Sequence, residues 1–406
     1  MLGRRVVTIC REGVYYVFVL TFIVGGATLR DINLLFILAG IMVGPLLFNW
    51  RFVVLSVREL SVRRVLPAQI YAGQPFHVDI VSHNHRRRLG SWMIAFDDAI
   101  QFASLAGRQR KQAAKTETSV VLPYVAPGET GKATYQVTLP RRGRYQFGPL
   151  YVSTRFPMGL VRATAKLRQY EQIVAWPRLG RLTAHWLQVV SSERTGHQAT
   201  QFRQGPIDGD YFGIREWRPG DSKRWIHWRT AARIGKLAVR QFEQVIDQDM
   251  ILVLDLWQPD TPTREQLGRV ELAISFAATV VNDASRKKGC RMTVALAGKQ
   301  RGNWSARASA IFVRKTFERL AVAEAATENR FDEVLGTVVA AAPSGAQLVV
   351  VSTRANVLGA VGQSAVFATK HRHQRSLERV LWLDIGSPQV AAVFQLDDNG
   401  EESDDS

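Results

Sequence analysis

Cysteine is nearly absent. Among 406 residues there are two, Cys10 and Cys290, far apart and outside any CxxC or Cys/His cluster. That argues against a disulfide framework and against a cysteine-built zinc site, and it fits a chain that folds in, or faces, a reducing compartment. Also missing are a Gly-rich phosphate loop ending in Lys-Ser/Thr and a GxSxG elbow, so neither P-loop nor hydrolase-elbow chemistry is indicated. Acid is scarce: 35 Asp+Glu stand against 53 Lys+Arg, a formal charge of +18. Apolar residues are not scarce, and at 46% they rule out a disordered chain. The length fits two or three domains.

Gly13 to Leu29 carries no charge over 17 residues, and Ile32 to Trp50 none over 19. At 1.5 Å per residue the first run spans about 25 Å, a little short of a hydrocarbon core of roughly 30 Å. Two such runs joined by Arg30-Asp31-Ile32-Asn33 read as a transmembrane hairpin. A cleaved signal peptide competes, because Arg4, Arg5 and Arg11 precede the first run. The second run, following almost at once, favours two spans. Arg4, Arg5 and Arg11 before the hairpin, and Arg51, Arg58, Arg63 and Arg64 after it, place both ends in the cytoplasm.

Beyond the hairpin the period changes to two. Phe76 to Val81, Met93 to Phe96, Ser119 to Leu122, Ala133 to Leu139 and Tyr145 to Val152 read as short strands separated by turn residues. The expectation is an antiparallel β-sandwich, immunoglobulin-like, over residues 57–165. From Arg58 to Arg168 there are 18 Lys/Arg and 6 Asp/Glu. A basic domain tethered at a membrane has anionic headgroups as one electrostatic partner. Nucleic acid is another, but no recognised binding motif accompanies the charge.

A basic-aromatic segment follows, GPIDGDYFGIREWRPGDSKRWIHWRTAARIGKLAVRQFE over residues 205–243. Ile214 to Arg218 alternates as a strand would, and Pro219-Gly220 supplies a turn. Asp221 is positioned to cap a helix over Ser222 to Ile234, with Trp225, Trp228 and Ala232 on one side and Gly235 as its stop. Lys236 to Phe242 returns to strand. The arginines and the acids Glu216, Asp221 and Glu243 suit an ion network covered by tryptophans; exposed, the same residues would suit an acidic partner. His227 is the one candidate general base, with no nucleophile placed beside it by the sequence.

The ordered series Arg215-Glu216-Trp217-Arg218-Pro219-Gly220-Asp221, then Arg224, Ile226-His227-Trp228, then Arg240, Phe242 and Glu243, closely resembles the signature of the bacterial family called domain of unknown function 58. Gly143-Arg144-Tyr145, Gly148-Pro149 and Phe156 to Leu160 fit it too, as does the hairpin. The resemblance implies a membrane hairpin, a β-rich part, the signature and a domain similar to von Willebrand factor type A, with no established enzymatic activity. It further implies work beside a MoxR-type AAA+ ATPase in a chaperone-like or assembly role.

Met250 to Asp255 is an apolar run ending in an acid, as a buried parallel strand does. Helical spacing over 270–286, 306–325 and 331–341 alternates with strands over 292–296, 347–352 and 380–385, which implies a doubly wound α/β sheet with Asp255 and Ser352-Thr353 at its carboxyl edge. Type A domains often hold Mg²⁺ there through an Asp-x-Ser-x-Ser loop. This chain has Trp257 and Pro259 at the serine positions, so only Asp255 remains of that loop and the metal site reads as degenerate. No cofactor is implied. The tail, 397–406, holds six acids in ten residues.

The expected organisation is multi-domain α+β and α/β: the hairpin with basic flanks (1–56), the sandwich (57–165), the signature segment linking the domains (166–245), the type A-like domain (246–390) and an acidic disordered tail (391–406). The expected function is a non-enzymatic scaffold in a bacterial inner membrane, held by two transmembrane helices and bound to a protein partner. The alternatives are a basic-surface binder of anionic lipid or nucleic acid, and an enzyme centred on His227.

Overall fold

The computed structural model describes residues 5–103, 116–186, 188, 211–219, 221, 223–242, 249–286, 290–343, 346–358 and 380–396. These fall into two compact units, within Met1–Arg178 and Leu179–Asp397. Residues 108–111, Gly220, Glu243, His371, His373 and residues 397–406 of the acidic tail lie outside the described residues, whereas Phe394–Leu396, expected in the tail, forms a strand.

In the first unit the uncharged runs form α1 (Arg11–Arg30) and α2 (Asn33–Val57). Asp31 turns the chain between them in the left-handed region at φ 48°. Both helices are long and apolar enough to cross a membrane, and 11% of each apolar window is buried within the protein. The link is shorter than expected, because Arg30 and Asn33 are helical. α2 also runs past Arg51 to Val57, where Val53 and Val57 pack against Leu160, Val161, Ala163 and Ala165.

The segment before α1 departs from its reading as a simple basic flank. Arg5–Ile9 is a strand, β1, paired antiparallel with β8 (Val161–Leu167). The remaining strands of this unit are β2 (Leu60–Val65), β3 (Pro75–Asn84), β4 (Ser91–Phe102), β5 (Thr116–Val125), β6 (Thr130–Thr138), β7 (Gly143–Thr154) and β9 (Glu171–Ala175). One sheet has the order β1-β8-β7-β4-β5 with β9 also on β7, and the other β2-β3-β6. The period-two pattern works as expected: Val78 and Ile80 of β3 and Ile94 and Phe96 of β4 are buried in one cluster fed by both sheets. Each such side chain contributes about 1.5–3 kcal/mol of apolar burial.

Two arginines of the basic surplus over residues 58–168 are interior. Arg64 is fully buried and grips Asp98 with both arms of its fork, at 2.7 and 2.6 Å, while the Tyr135 hydroxyl donates to the same carboxylate at 2.7 Å. Arg86 donates to the carbonyls of Leu55 (2.8 Å) and Ser56 (3.2 Å), satisfying the open C-terminal end of α2. The Arg86-Arg87-Arg88 triplet is therefore one helix cap and two exposed charges.

The second unit is built on the sheet β15-β14-β13-β16-β17, from β13 (Met250–Asp255), β14 (Arg291–Ala297), β15 (Arg301–Arg307), β16 (Gln347–Ser352) and β17 (Val380–Asp384). All pairings are parallel except β14 with β15. β13, at the centre, is buried from Ile251 to Asp255, as its uninterrupted apolar run demands. Trp304, in the stretch Asn303-Trp304-Ser305, sits on the edge strand β15. This unit also holds the hairpin β11 (Tyr211–Glu216) and β12 (Ala238–Phe242), and α3 (Trp228–Ile234) between those strands. Next along the chain are α4 (Arg264–Arg286), α5 (Ala310–Ala321) and α6 (Phe331–Ala341). α6 lays Phe331, Leu335 and Val338 on Val253 and Val350, and α4 packs against β13 and β16. Near the ends of this unit, β10 (Gly180–Leu182) pairs with β18 (Phe394–Leu396).

Candidate functional site

The signature folds as a small clasp. β11 and β12 pair antiparallel, with Arg215 opposite Val239 and Glu216 opposite Ala238. Arg215 reaches back across the turn and grips the Asp221 carboxylate with both arms at 2.7 Å. The backbone N–H of Arg218 donates to the same carboxylate at 2.9 Å, and the Trp217 indole N–H donates to the Asp221 carbonyl at 3.3 Å. Arg215's fork is the main reason the nearly buried Asp221 carboxyl is held below its ordinary range. Among the described residues the ion pairing expected from the sequence includes Arg215 with Asp221 and, at the surface, Lys236 with Glu216.

Asp221 does not cap a helix, because Arg215 and Arg218 use its oxygens. The helix starts later. A 3₁₀ turn spans Lys223–Trp225, and α3 opens at Trp228. His227 is its cap: Nδ1 accepts from the Thr230 N–H at 3.2 Å and lies 2.7 Å from the Thr230 hydroxyl. Gly235 stops the helix in the left-handed region at φ 71°, as anticipated. Ile226 and Ala231 join Ala238 and Val239 in a small core, against which Trp217 and Trp225 are half-buried.

Trp228 behaves differently. Its side chain is 66% exposed. In the same hairpin Arg218, Arg229, Arg233 and Lys236 are exposed too, as are Ile234 and Leu237. Glu216 is exposed and pairs with Lys236 at 3.1 Å. Arg224 and Pro219 are exposed on the turn. Arg240 and Phe242 lie on β12, and their side chains are not among the described ones.

A second cluster closes the carboxyl end of β13. Asp255 is buried, and Ser352 Oγ donates to its Oδ2 at 2.8 Å. Its ionic partner is Arg354, whose Nε donates to Oδ2 at 2.8 Å. The same guanidinium reaches Asn329 Oδ1 at 2.7 Å and stacks 5.6 Å from the Trp257 ring centre. Thr353 links the two strand ends by donating to the Trp257 carbonyl at 2.6 Å. Burial pushes the Asp255 carboxyl up, Arg354 and Ser352 pull against it, and Asp332 adds to the rise. Among the described residues no group of three His, Cys, Asp or Glu gathers at a metal-binding spacing. Arg354 was missed in the sequence, although it directly follows the Ser352-Thr353 strand end.

The class these features define is a chain with two apolar N-terminal helices, a β-rich unit and an α/β unit carrying an arginine-tryptophan hairpin. Residues 213–353 match the family model described as Protein of unknown function DUF58. The uncharacterised protein YeaD of Bacillus subtilis is 22% identical over 173 residues, which cover 41% of this chain and 39% of that relative. The chain thus spans about two fifths of the length of that curated relative. Among solved structures, the alkylpurine DNA glycosylase AlkC of Pseudomonas fluorescens is similar at TM-score 0.21 and 12% identity, covering 29% of this chain and 30% of that one. The sporulation control protein Spo0M of Bacillus subtilis is similar at TM-score 0.19 and 10% identity, covering 34% and 56%. Likenesses this slight carry no argument about function.

Proposed function

We propose that the protein is a non-enzymatic, membrane-anchored scaffold whose basic-aromatic hairpin docks an acidic protein partner, a MoxR-type AAA+ ATPase. On this reading α1 and α2 cross a bacterial inner membrane with both soluble units in the cytoplasm. The two sheets of the first unit act as a sandwich, and the α/β unit works as a von Willebrand factor type A-like module.

The observation that carries the reading is the contrast between indoles. Trp217 and Trp225 pack on the small core, whereas Trp228 stands exposed on a hairpin that also presents the exposed cations Arg218, Arg229, Arg233 and Lys236, beside a backbone fixed by Arg215 and Asp221. Rigid aromatic and arginine side chains are the usual anchors of an interface, because they bury much area at little entropic loss. The engagement of His227 Nδ1 as a helix cap supports a structural use of that residue over a catalytic one.

The test is binding of a purified MoxR-type ATPase to the full-length protein in lipid nanodiscs. Trp228→Ala is expected to weaken binding about tenfold or more, which corresponds to roughly 1.4 kcal/mol, at unchanged Tm. Undiminished binding by the variant, or none by the wild type, overturns the docking role. Turnover of a defined substrate that is lost in His227→Asn would favour the enzymatic alternative.

A further inference from the structure

A row of aromatic rings runs without a break from α2 into the β-rich unit. Phe48 lies 5.9 Å from Phe52, Phe52 lies 5.8 Å from Phe156, and Phe156 stacks on Trp92 at 5.6 Å with an interplanar angle of 18°. Trp92 then meets Tyr124 at 4.2 Å. The row is not interior: Trp92 is 41% and Tyr124 43% exposed, and Met93 and Met158 beside them are exposed as well. Scattered apolar residues on a surface mean little, but a contiguous apolar patch marks a contact.

The backbone is bent to make this patch. Met93 holds φ 47°, and sheet pairing lapses at that position, opposite Pro123, while Trp92 with Tyr124 and Ile94 with Leu122 stay in register. A left-handed side-chain-bearing residue costs about 1–2 kcal/mol. Its effect is to break the alternation of β4, so that Trp92 and Met93 are exposed together before burial resumes at Ile94. Strain that turns two large apolar groups outward points to a use for them.

The depth of the row is fixed by the helices. Cys10, just ahead of α1, donates its N–H to the carbonyl of Leu160 at 2.9 Å, which holds the Phe156–Leu160 loop at the start of that helix. Phe52 follows Arg51, the first charge after the apolar run of α2. Arg87 and Arg88 precede the strand bearing Trp92, Arg155 precedes Phe156, and all three are exposed. Apolar tips, amphipathic rings and flanking cations at one level are what the boundary between headgroups and acyl chains favours.

We propose that Trp92, Tyr124, Phe156, Met93 and Met158 form a third membrane contact, by which the β-rich unit rests in the interface of the bilayer that holds α1 and α2. This rests on reading those helices as a membrane anchor. The contact fixes the tilt of the unit against the membrane, and the arginines make it favour anionic lipid.

The experiment uses full-length protein carrying Cys10→Ser and Cys290→Ala, in nanodiscs of phosphatidylcholine and phosphatidylglycerol. Single nitroxide labels are placed at Phe22→Cys in α1, Met158→Cys, and Thr138→Cys at the far end of β6, and depth is read from oxygen against nickel-chelate accessibility. The expected result is Phe22 among the acyl chains, Met158 about 5–10 Å into the headgroup boundary, and Thr138 aqueous. If Phe22 reads aqueous, the anchor itself falls, and this contact with it. If Phe22 reads acyl while Met158 reads as wet as Thr138, the interface contact alone is overturned. A Met158 label shielded from both reagents means that protein covers the patch, which also overturns it. Brominated acyl chains supply a second reading: wild type is expected to lose more tryptophan emission than Trp92→Phe, and equal quenching refutes the proposal.

Discussion

Arg354 donates its Nε to the buried Oδ2 of Asp255 at 2.8 Å, and so places a guanidinium at the carboxyl end of the central strand. The positive charge that a divalent ion could supply to Asp255 comes here from the chain itself, held by Asn329 and the face of Trp257.

Replacing Arg354 by Met leaves a carboxylate buried without its cation. The expected loss is about 2–4 kcal/mol, below the usual 3–5 for a buried pair because Arg354 is partly exposed, measured by urea unfolding. The carboxyl of Asp255, already raised by burial, should move further up, a shift readable by carbon NMR. Since its folded value lies above the unfolded one, the folded state binds the extra proton. The unfavourable contribution therefore grows as pH rises through that window and vanishes below it. Adding Mg²⁺ is expected to leave the wild-type Tm unchanged.

The Arg215–Asp221 clasp predicts the opposite pH dependence. Asp221 is held below its ordinary range, so its contribution is complete above the unfolded value and is lost as pH falls through the folded one. Hydrogen exchange in β11 and β12 should quicken across that acid window. Asp221→Asn should abolish the dependence, and Arg215→Lys should weaken protection at neutral pH because a point charge cannot replace the fork. Unchanged exchange in both variants would mean that the clasp does not hold the hairpin.

His227 is expected to act as a cap. His227→Ala should destabilise the hairpin by about 1 kcal/mol, while His227→Asn, another capping residue, should restore most of it. Equal loss in both variants would point to a role for the imidazole that capping does not explain.

Inside the first unit, Arg64→Leu alone leaves the Asp98 carboxylate buried without its cation, with the Tyr135 hydroxyl still donating to it, and should cost about 3–5 kcal/mol. Arg64→Leu combined with Asp98→Leu is expected to be milder than either single change, as a double-mutant cycle by denaturant unfolding would show. Additive losses would deny the coupling.

Much of the fold was legible because it is written locally. The uncharged runs gave both helices of the hairpin, alternation gave β3, β6 and β7, and the continuous apolar stretch gave β13 with Asp255 at its end. Two of the strands that were missed, β1 and β15, lack that signal, whereas β8 carries it, with Val161, Ala163, Ala165 and Leu167 buried. β1 is exposed along its whole length and β15 nearly so, so neither shows an alternation of buried and exposed positions. Their place was set by a neighbouring strand's open hydrogen-bonding edge.

By itself, then, the sequence determined where apolar surface had to leave water, because that demand repeats with the period of helix or strand. Which charges meet was decided only by the tertiary structure. Asp221 took Arg215 and left the capping to His227, Asp255 took Arg354, and Arg64 and Arg86 went inside, because each pairing depends on side chains brought together by folding. A letter that reads as a basic surface residue is interior wherever the fold sets a carboxylate or an open helix end within reach of its fork.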